Sequence, residues 1–256
     1  MSEGGAHAAS PDPDDPHHLL TSQPTTPLPR KRKPDNSPPR QSRPIRPPST
    51  VQKPCLALVI LLSFFDGIGT AALALQQLGY KIILYWAWED NADCCTILAR
   101  HHPQATIRGD FRKETASNIL EAIRQVDPAQ KAIVLFTGGP PCPDYTRIKG
   151  DDALGRQGDE GRKFDEMIDL LDQVIPNVTH RQAILFENVV MASTDAQHFD
   201  TRLSFATGHG EFVATHVMGD SIDFGIINRP RFWWSWVPWQ QSYLPTVARS
   251  ALKTEY

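Results

Sequence analysis

Apolar runs alternate with segments of helical spacing along most of the chain. Residues 56–64 form a continuous apolar run, typical of a strand buried on both faces, and residues 70–78 then show helical spacing that stops at Gly79. Further strands are predicted at 82–88, around 107, at 133–136 and at 183–186, and further helices at 91–101, 113–126 and 164–174. This order predicts an α/β fold of the Rossmann-like type with a doubly wound, mostly parallel sheet.

Two later apolar runs, 212–218 and 232–237, follow each other without a predicted helix between them. Strands joined in this way pair antiparallel. We therefore expect a closing antiparallel hairpin at the end of the parallel sheet.

The first 54 residues differ in composition from the rest. They hold 13 of the 22 prolines and few aliphatic residues, so they could not bury enough apolar surface to offset the entropy lost on ordering. We expect a disordered, Pro-rich basic tail at 1–54, a catalytic domain at 55–240 and a short carboxyl-terminal tail at 241–256.

Charge is divided unevenly between these parts. Residues 1–54 carry eight Lys or Arg against five Asp or Glu, a sum of +3, and since the whole chain is −3 the remainder sums to −6. A folded part with this balance is predicted to bind nucleic acid weakly by itself. The run Arg30-Lys31-Arg32-Lys33 fits a nuclear import signal, a phosphate-binding tail or a solvated stretch. We favour a nuclear location, with a cytoplasmic one as the alternative.

Secretory and membrane segments are absent from the sequence, which predicts a soluble, intracellular protein without a membrane partner. Of the four cysteines, Cys94 and Cys95 are adjacent, Cys55 lies at the domain edge and Cys142 in a separate loop. This spacing fits neither a CxxC metal site nor a disulfide framework, and the nine histidines are scattered. We predict no metal.

One cysteine stands where a nucleophile is best presented. Cys142 follows the predicted strand 133–136 in the loop Gly138-Gly139-Pro140-Pro141-Cys142, and such loops face the ligand crevice of an open α/β sheet. A second strand, 183–186, is followed by Glu187, a carboxylate that could supply the acid for covalent catalysis. Together they point to nucleophilic attack on an electron-poor ring.

Three more loops on the same edge predict a nucleoside site. The turn Phe65-Asp66-Gly67-Ile68-Gly69 lies between a strand and a helix, where small residues let a ligand approach the backbone. Glu89 follows about 20 positions later, which suits an acceptor for ribose hydroxyls. Asp110 after the third strand could accept a hydrogen bond from an adenine amino group.

Seven motifs stand in the order of a known family. They are Phe65-Asp66-Gly67-Ile68-Gly69, Glu89, Gly109-Asp110-Phe111-Arg112, Pro141-Cys142, Gly161-Arg162-Lys163-Phe164, Phe186-Glu187-Asn188-Val189 and Arg229-Pro230-Arg231-Phe232-Trp233. By these motifs the chain resembles the cytosine carbon-5 DNA methyltransferases, most closely their de novo eukaryotic class, over about residues 56–238.

The resemblance implies S-adenosylmethionine as cofactor. Phe65 would lie against its adenine, Glu89 on its ribose and Asp110 on the adenine amino group. The implied cofactor site also includes Asp66, Gly67, Gly69, Phe111 and Pro140.

The resemblance also implies methyl transfer to carbon 5 of a flipped cytosine in DNA. That carbon is a poor nucleophile, so the thiolate of Cys142 adds at carbon 6 while Glu187 holds the proton at ring nitrogen 3. Arg231 is the candidate for stabilising the thiolate, Asn188 for shaping the loop of Glu187, and Arg229 belongs to the same arginine motif.

The sequence departs from the family at three places. Pro143-Asp144 follows the cysteine where many members have Gln, and Asn228 stands where many carry Gln or His. Only 25 residues follow Arg231 (256 − 231), so we expect the target-recognition region and the last two motifs to be missing, and a protein partner could supply recognition.

Two alternatives stay open. The segment Tyr145-Thr146-Arg147-Ile148 after Pro141-Cys142 also resembles the tRNA-acting relatives, which would make tRNA the substrate. A catalytically incomplete regulator with the same fold is the other.

Overall fold

The protein was studied as a computed structural model, which describes residues 57–145, 154–221 and 227–236. The two predicted tails, 1–54 and 241–256, lie outside these ranges. The strands are β1 (Leu58–Phe64), β2 (Lys81–Trp88), β3 (Thr106–Ile107), β4 (Ile133–Gly138), β5 (Arg181–Val189), β6 (Phe205–Thr207), β7 (Gly210–Phe212), β8 (Thr215–Asp220) and β9 (Pro230–Ser235). The helices are α1 (Thr70–Gln77), α2 (Ala92–His101), α3 (Ala116–Val126), α4 (Arg162–Val174) and α5 (Ser193–Arg202).

Seven strands form one sheet in the order β3-β2-β1-β4-β5-β9-β8, and β6 pairs with β7 separately. The first five strands in this order are parallel, whereas β9 is antiparallel to both β5 and β8. The doubly wound, mostly parallel fold and its closing hairpin are confirmed. Because the strand order reverses between β1 and β4, a crevice opens beyond their carboxyl ends.

The two faces of β1 belong to two different cores. Ile60, Leu62 and Phe64 pack into the larger core with α3, α4 and α5, while Val59 and Leu61 pack into the smaller core with α1 and α2. Each of these side chains is nearly fully buried, and burial of this kind contributes about 1.5–3 kcal/mol per side chain. Alternate side chains of β1 face the two cores, so both faces of the strand require apolar residues and the run along it is continuous.

Strand β5 is longer than the sequence pattern indicated. Glu187 and Asn188 lie within it rather than beyond its end, because β9 pairs with this part of the strand and places Trp233 opposite Glu187. The acid is therefore held by a strand backbone, which is stiffer than the loop that we expected.

Three other predictions need correction. Helix α3 begins at Ala116 rather than at 113, because the Thr115 hydroxyl accepts a hydrogen bond from Asn118 N (3.2 Å) and caps it, while residues 111–113 form a 3₁₀ turn. The apolar run 212–218 is divided between β7 and β8. Helix α5 was not predicted, since it is largely polar and buries only Ala196 and Phe199.

The turn after β1 depends on two glycines with positive φ, Gly67 (+62°) and Gly69 (+84°). A Cβ atom at Gly67 would meet nothing within 4 Å, whereas one at Gly69 would lie 2.5 Å from His102 Cδ2 and 2.9 Å from Leu98 Cδ1. Only the second position therefore combines backbone strain with a steric clash.

We predict that Gly67→Ala lowers the free energy of unfolding by about 1–2 kcal/mol, the cost of a left-handed conformation alone. Gly69→Ala should cost clearly more, because α2 must also move. Urea unfolding of both variants measures the difference, and equal losses would contradict the prediction.

Candidate active site

The loops after β1, β2, β3 and β4 surround two adjoining cavities at the carboxyl edge of the sheet. The small cavity has a volume of about 250 Å³ and the large cavity about 850 Å³. Phe65 and Gly139 line both cavities, so the two meet at the switch point of the sheet. The volume of the large cavity lies in the range of small-molecule sites.

The loops after β1 and β2 are joined by one carboxylate. Glu89 Oε2 accepts a hydrogen bond from Gly67 N (2.8 Å) and Glu89 Oε1 accepts one from Asn91 N (2.8 Å). Glu89 also lines the small cavity. Its carboxylate thus shapes the glycine turn in addition to lining the small cavity, a role that the sequence did not reveal.

Aromatic side chains form the apolar wall of the small cavity. Phe65 and Phe111 meet edge to face with ring centroids 5.3 Å apart, and Phe65 has a φ of +51°. Trp88, which also lines the cavity, stacks on Phe64 at 4.3 Å. Flat apolar walls of this kind suit a nucleobase.

Asp110 also lines the small cavity. Its Oδ1 accepts hydrogen bonds from Arg112 N (3.0 Å) and Arg112 Nε (2.9 Å), and these bonds lower the pKa of Asp110. The carboxylate stays ionised and can still accept from a ligand. Aromatic walls with carboxylate acceptors fit the adenosine part of S-adenosylmethionine.

A chain of hydroxyls and one buried carboxylate lies under the glycine turn. The Thr137 hydroxyl donates to Ser63 Oγ (2.9 Å), Ser63 donates to Asp66 Oδ1, and the Tyr85 hydroxyl donates to Asp66 Oδ2 (2.6 Å). Burial and the neighbouring Asp66 raise the pKa of Tyr85, so its hydroxyl stays protonated and donates. The network ties β1, β2 and β4 together where Asp66 lines the large cavity.

Cys142 lies in the loop after β4 as a half-buried free thiol. Its carbonyl oxygen accepts from Tyr145 N (3.0 Å), which closes a turn just beyond it. Gly139 and Pro141 line the cavities, while Cys142 is not among the described residues that do so.

Glu187 and Arg231 form an ion pair at the floor of the large cavity. Arg231 Nε lies 2.6 Å from Glu187 Oε1, and the two side chains are 19% and 27% exposed. Glu187 Oε2 is directed toward the loop of Cys142, since a Cβ atom at Gly139 would lie 3.5 Å from it.

Asn188 connects the two strands that carry the candidate nucleophile and acid. This buried side chain donates from Nδ2 to Pro140 O (3.2 Å), and its Oδ1 accepts from Val189 N (2.8 Å). Asn188 thus holds the loop of Cys142 against β5. The expectation that it shapes a loop of Glu187 is wrong, because Glu187 lies within β5.

The rim of the large cavity contains Arg229, whose backbone N donates to Asp220 Oδ1 (2.8 Å). Trp233 lines the same cavity, whereas Trp234 and Trp236 are buried in the core. The register that places Trp233 opposite Glu187 could not be read from composition.

The structure brings most of the predicted site residues to one edge of the sheet. Phe65, Glu89, Asp110, Phe111 and the residues of the glycine turn surround the cavities with Glu187, Arg229 and Arg231. Lys163 and Tyr85 were missed as site residues, because neither stands in a loop with a positional signal. Arg156 contacts Asp195 (3.6 Å) and His198 (3.2 Å).

Within the described ranges there is no cluster of three metal-binding side chains, and no helix there is long and apolar enough to cross a membrane.

Comparison with known proteins identifies related sequences and folds. Residues 59–232, about two thirds of the chain, match the family described as C-5 cytosine-specific DNA methylase. This range contains every candidate site residue. The chain is also similar to the solved structure of the methyltransferase EhMeth of Entamoeba histolytica, with 15% identity, a TM-score of 0.50, and coverage of 72% of this chain and 54% of that one.

Two further solved structures are similar. The Dnmt2 methyltransferase of S. pombe shares 20% identity at a TM-score of 0.47, with 70% of this chain and 49% of that chain covered. A mutant Dnmt2 of Spodoptera frugiperda shares 19% identity at a TM-score of 0.46, covering 70% and 49%. The chain spans about half the length of these solved structures.

We predict that stability depends on pH through Asp66. Burial raises the pKa of Asp66 above 3.8, although hydrogen bonds from Ser63 and Tyr85 lower it. The native state then binds this proton more tightly than the unfolded chain, so the stabilisation is complete below pH 3.8 and is lost as pH rises through the folded pKa. Asp66→Asn has no such proton, so its free energy of unfolding should rise relative to wild type above pH 3.8.

Urea unfolding at a series of pH values measures this difference. Asp93→Asn, which removes an exposed carboxylate from α2, is the control and should show little change with pH. A constant difference for Asp66→Asn would contradict the prediction.

Proposed function

Because the chain belongs to the family of C-5 cytosine-specific DNA methylases, we propose that it transfers the methyl group of S-adenosylmethionine to carbon 5 of cytosine in DNA. The observation that carries the proposal is the placement of the half-buried free thiol of Cys142 in the loop after β4 and of the Glu187 carboxylate on β5, the strand that pairs with β4. Both stand beside cavities whose walls fit the cofactor.

Members of this family use S-adenosylmethionine, which supplies an electrophilic methyl group when bound. In the proposed complex the adenine would lie against Phe65, beside Phe111, with Glu89 accepting from the ribose hydroxyls and Asp110 from the adenine amino group. The support comes from the positions of these four side chains around the small cavity. Asp66, Gly67, Gly69 and Pro140 would shape the adjoining backbone.

The thiolate of Cys142 is proposed to attack carbon 6 of the target cytosine. This addition makes carbon 5 nucleophilic enough to accept a methyl group. After transfer, carbon 5 loses its proton to solvent and the double bond between carbons 5 and 6 re-forms as the bond between carbon 6 and sulfur breaks. Cys142 leaves as a thiolate, and the proton at ring nitrogen 3 returns to Glu187.

Glu187 is proposed to hold the proton that stabilises the covalent adduct at ring nitrogen 3. Its position is set by two contacts: the backbone is held in β5, and Arg231 Nε holds Oε1 at 2.6 Å. The second oxygen is directed toward Gly139 and the cavity. A general acid gains most when its geometry is set before the substrate arrives.

The nucleic-acid substrate is part of the proposal. The family description favours DNA, and the basic run at residues 30–33, outside the described residues, supports a nuclear location and added phosphate contacts. The likeness of residues 141–148 to tRNA-acting relatives makes tRNA the second candidate. A protein partner that supplies target recognition is compatible with either.

We predict that Cys142→Ser abolishes methyl transfer and leaves binding of S-adenosylmethionine nearly unchanged, because the hydroxyl is far less nucleophilic and the loop keeps its shape. Transfer of labelled methyl groups to duplex DNA and to tRNA is measured beside calorimetric binding of the cofactor. Cys94→Ser, which alters a cysteine on α2, should keep wild-type activity.

A serine variant that retains most of its activity would show that the covalent mechanism is wrong. Wild-type activity on tRNA alone would assign the second substrate.

We predict that Glu89→Ala weakens binding of S-adenosylmethionine by about 1.5–3 kcal/mol, because a charged acceptor of ribose hydroxyls is lost. The glycine turn also loses its hydrogen bond from Gly67 N. Calorimetry gives the cofactor affinity and a filter-binding assay gives the nucleic-acid affinity, which should not change.

Asp93→Ala removes the same charge from the adjacent helix and should bind the cofactor like wild type. Reduced nucleic-acid affinity with unchanged cofactor affinity in Glu89→Ala would overturn the assignment.

A further inference from the structure

Asp144, two residues after Cys142, is a carboxylate with only 7% of its surface exposed. Its Oδ2 accepts hydrogen bonds from Glu160 N (2.9 Å) and Gly161 N (3.1 Å), in the turn that precedes α4. A buried carboxylate is costly unless donors satisfy it, so these bonds restrict the side chain to one position. The amino end of α4 adds a favourable partial positive charge.

Other contacts join the same two segments. The Tyr145 hydroxyl donates to Gly161 O (2.8 Å), and the carbonyl oxygen of Asp144 accepts from Gly155 N (2.8 Å). A Cβ atom at Gly158 would overlap the Asp144 carboxylate, and one at Gly161 would overlap Gly155 O. The loop of Cys142 and residues 155–161 are therefore packed with no room for larger residues at these contacts.

The turn held by Asp144 also forms part of the cofactor cavity. Glu160 and Lys163 line the small cavity, and Lys163 Nζ lies 2.9 Å from both oxygens of Glu160. Asp144 thus connects the segment of the candidate nucleophile to a wall of the cavity proposed for adenosine. No loop motif in the sequence assigns this role.

We propose that Asp144 is a positioning residue that sets the place of Cys142 relative to the bound cofactor. The inference rests on the proposed function, because the relative position of thiol and methyl donor matters only if both act on one base. A misplacement of about 1 Å in such an arrangement can cost on the order of 100-fold in rate.

The test compares Asp144→Ala, Asp144→Asn and the control Asp159→Ala. Asparagine can place one oxygen where Oδ2 accepts both amides, whereas alanine removes the acceptor. Asp159 is in the same segment, but its side chain is 91% exposed and pairs with Arg162.

Two readouts do not require activity. Hydrogen exchange reports the protection of the Glu160 and Gly161 amides, and peptide mass spectrometry reports the rate at which iodoacetamide alkylates Cys142, with Cys94 and Cys95 as internal references. Asp144→Ala should expose both amides and change the alkylation rate of Cys142 alone. Asp144→Asn should change both much less, and Asp159→Ala should match wild type.

The kinetic readout is methyl transfer. Asp144→Ala should lower kcat by about ten- to a hundredfold. Exchange and alkylation at wild-type rates in Asp144→Ala would overturn the inference, whatever the activity. A wild-type protein that transfers no methyl group would instead refute the proposed function, while the two other readouts still decide whether Asp144 holds the loop.

If Asp144→Ala does not fold, wild type, Asp144→Asn and Asp159→Ala decide. Glu160 and Gly161 amides that exchange as fast as those of an unstructured peptide would overturn the inference. Protected amides, together with faster exchange at both in Asp144→Asn than in Asp159→Ala, would support it.

Discussion

The burial of β1 on both faces is the constraint on which the rest of this structure depends. A strand that packs into two cores must lie inside the sheet, with β2 on one side and β4 on the other. The crossovers to those neighbours run in opposite directions, so the loops after β1 and β4 separate at the centre of the sheet. Both cavities lie in this gap, and Phe65 and Gly139 at the ends of the two strands line them both.

Carboxylates hold the site together around this gap. Glu89 joins the loops after β1 and β2 by accepting hydrogen bonds from two backbone amides. Asp66 accepts hydrogen bonds from two hydroxyl groups beneath the glycine turn. Asp144 does the same for the loop of Cys142 and the start of α4. A carboxylate can accept several hydrogen bonds at once, and an unsatisfied carboxylate oxygen away from water carries a large free-energy penalty. Each of these carboxylates therefore forms a specific connection between separate segments of the chain.

The antiparallel strand β9 completes the arrangement from the other side. It extends β5 beyond the parallel part of the sheet, which places Glu187 within a strand, and it supplies Arg231 to the carboxylate. The same register brings Trp233 to the cavity wall. A candidate acid, its cationic partner and part of the substrate cavity therefore depend on one strand pairing.

The sequence by itself determined the strand and helix order, the double winding of the sheet and the edge that carries the site. The spacing of apolar residues indicates which faces are buried, and the positions of Gly and Pro indicate turns. The residue types alone therefore located β1, α1 and the loop of Cys142. Helix α5 could not be predicted from the sequence, because it is largely polar and has no apolar stripe. It is stabilised by the tertiary packing of Ala196 and Phe199. Only the tertiary structure decided that Glu187 stands inside β5 beside Arg231, that Glu89 shapes the glycine turn, and that Asp144 holds the start of α4. These contacts join segments that are far apart in the chain. Strand register and side-chain packing determine which residues meet, and neither produces a periodic pattern in the sequence.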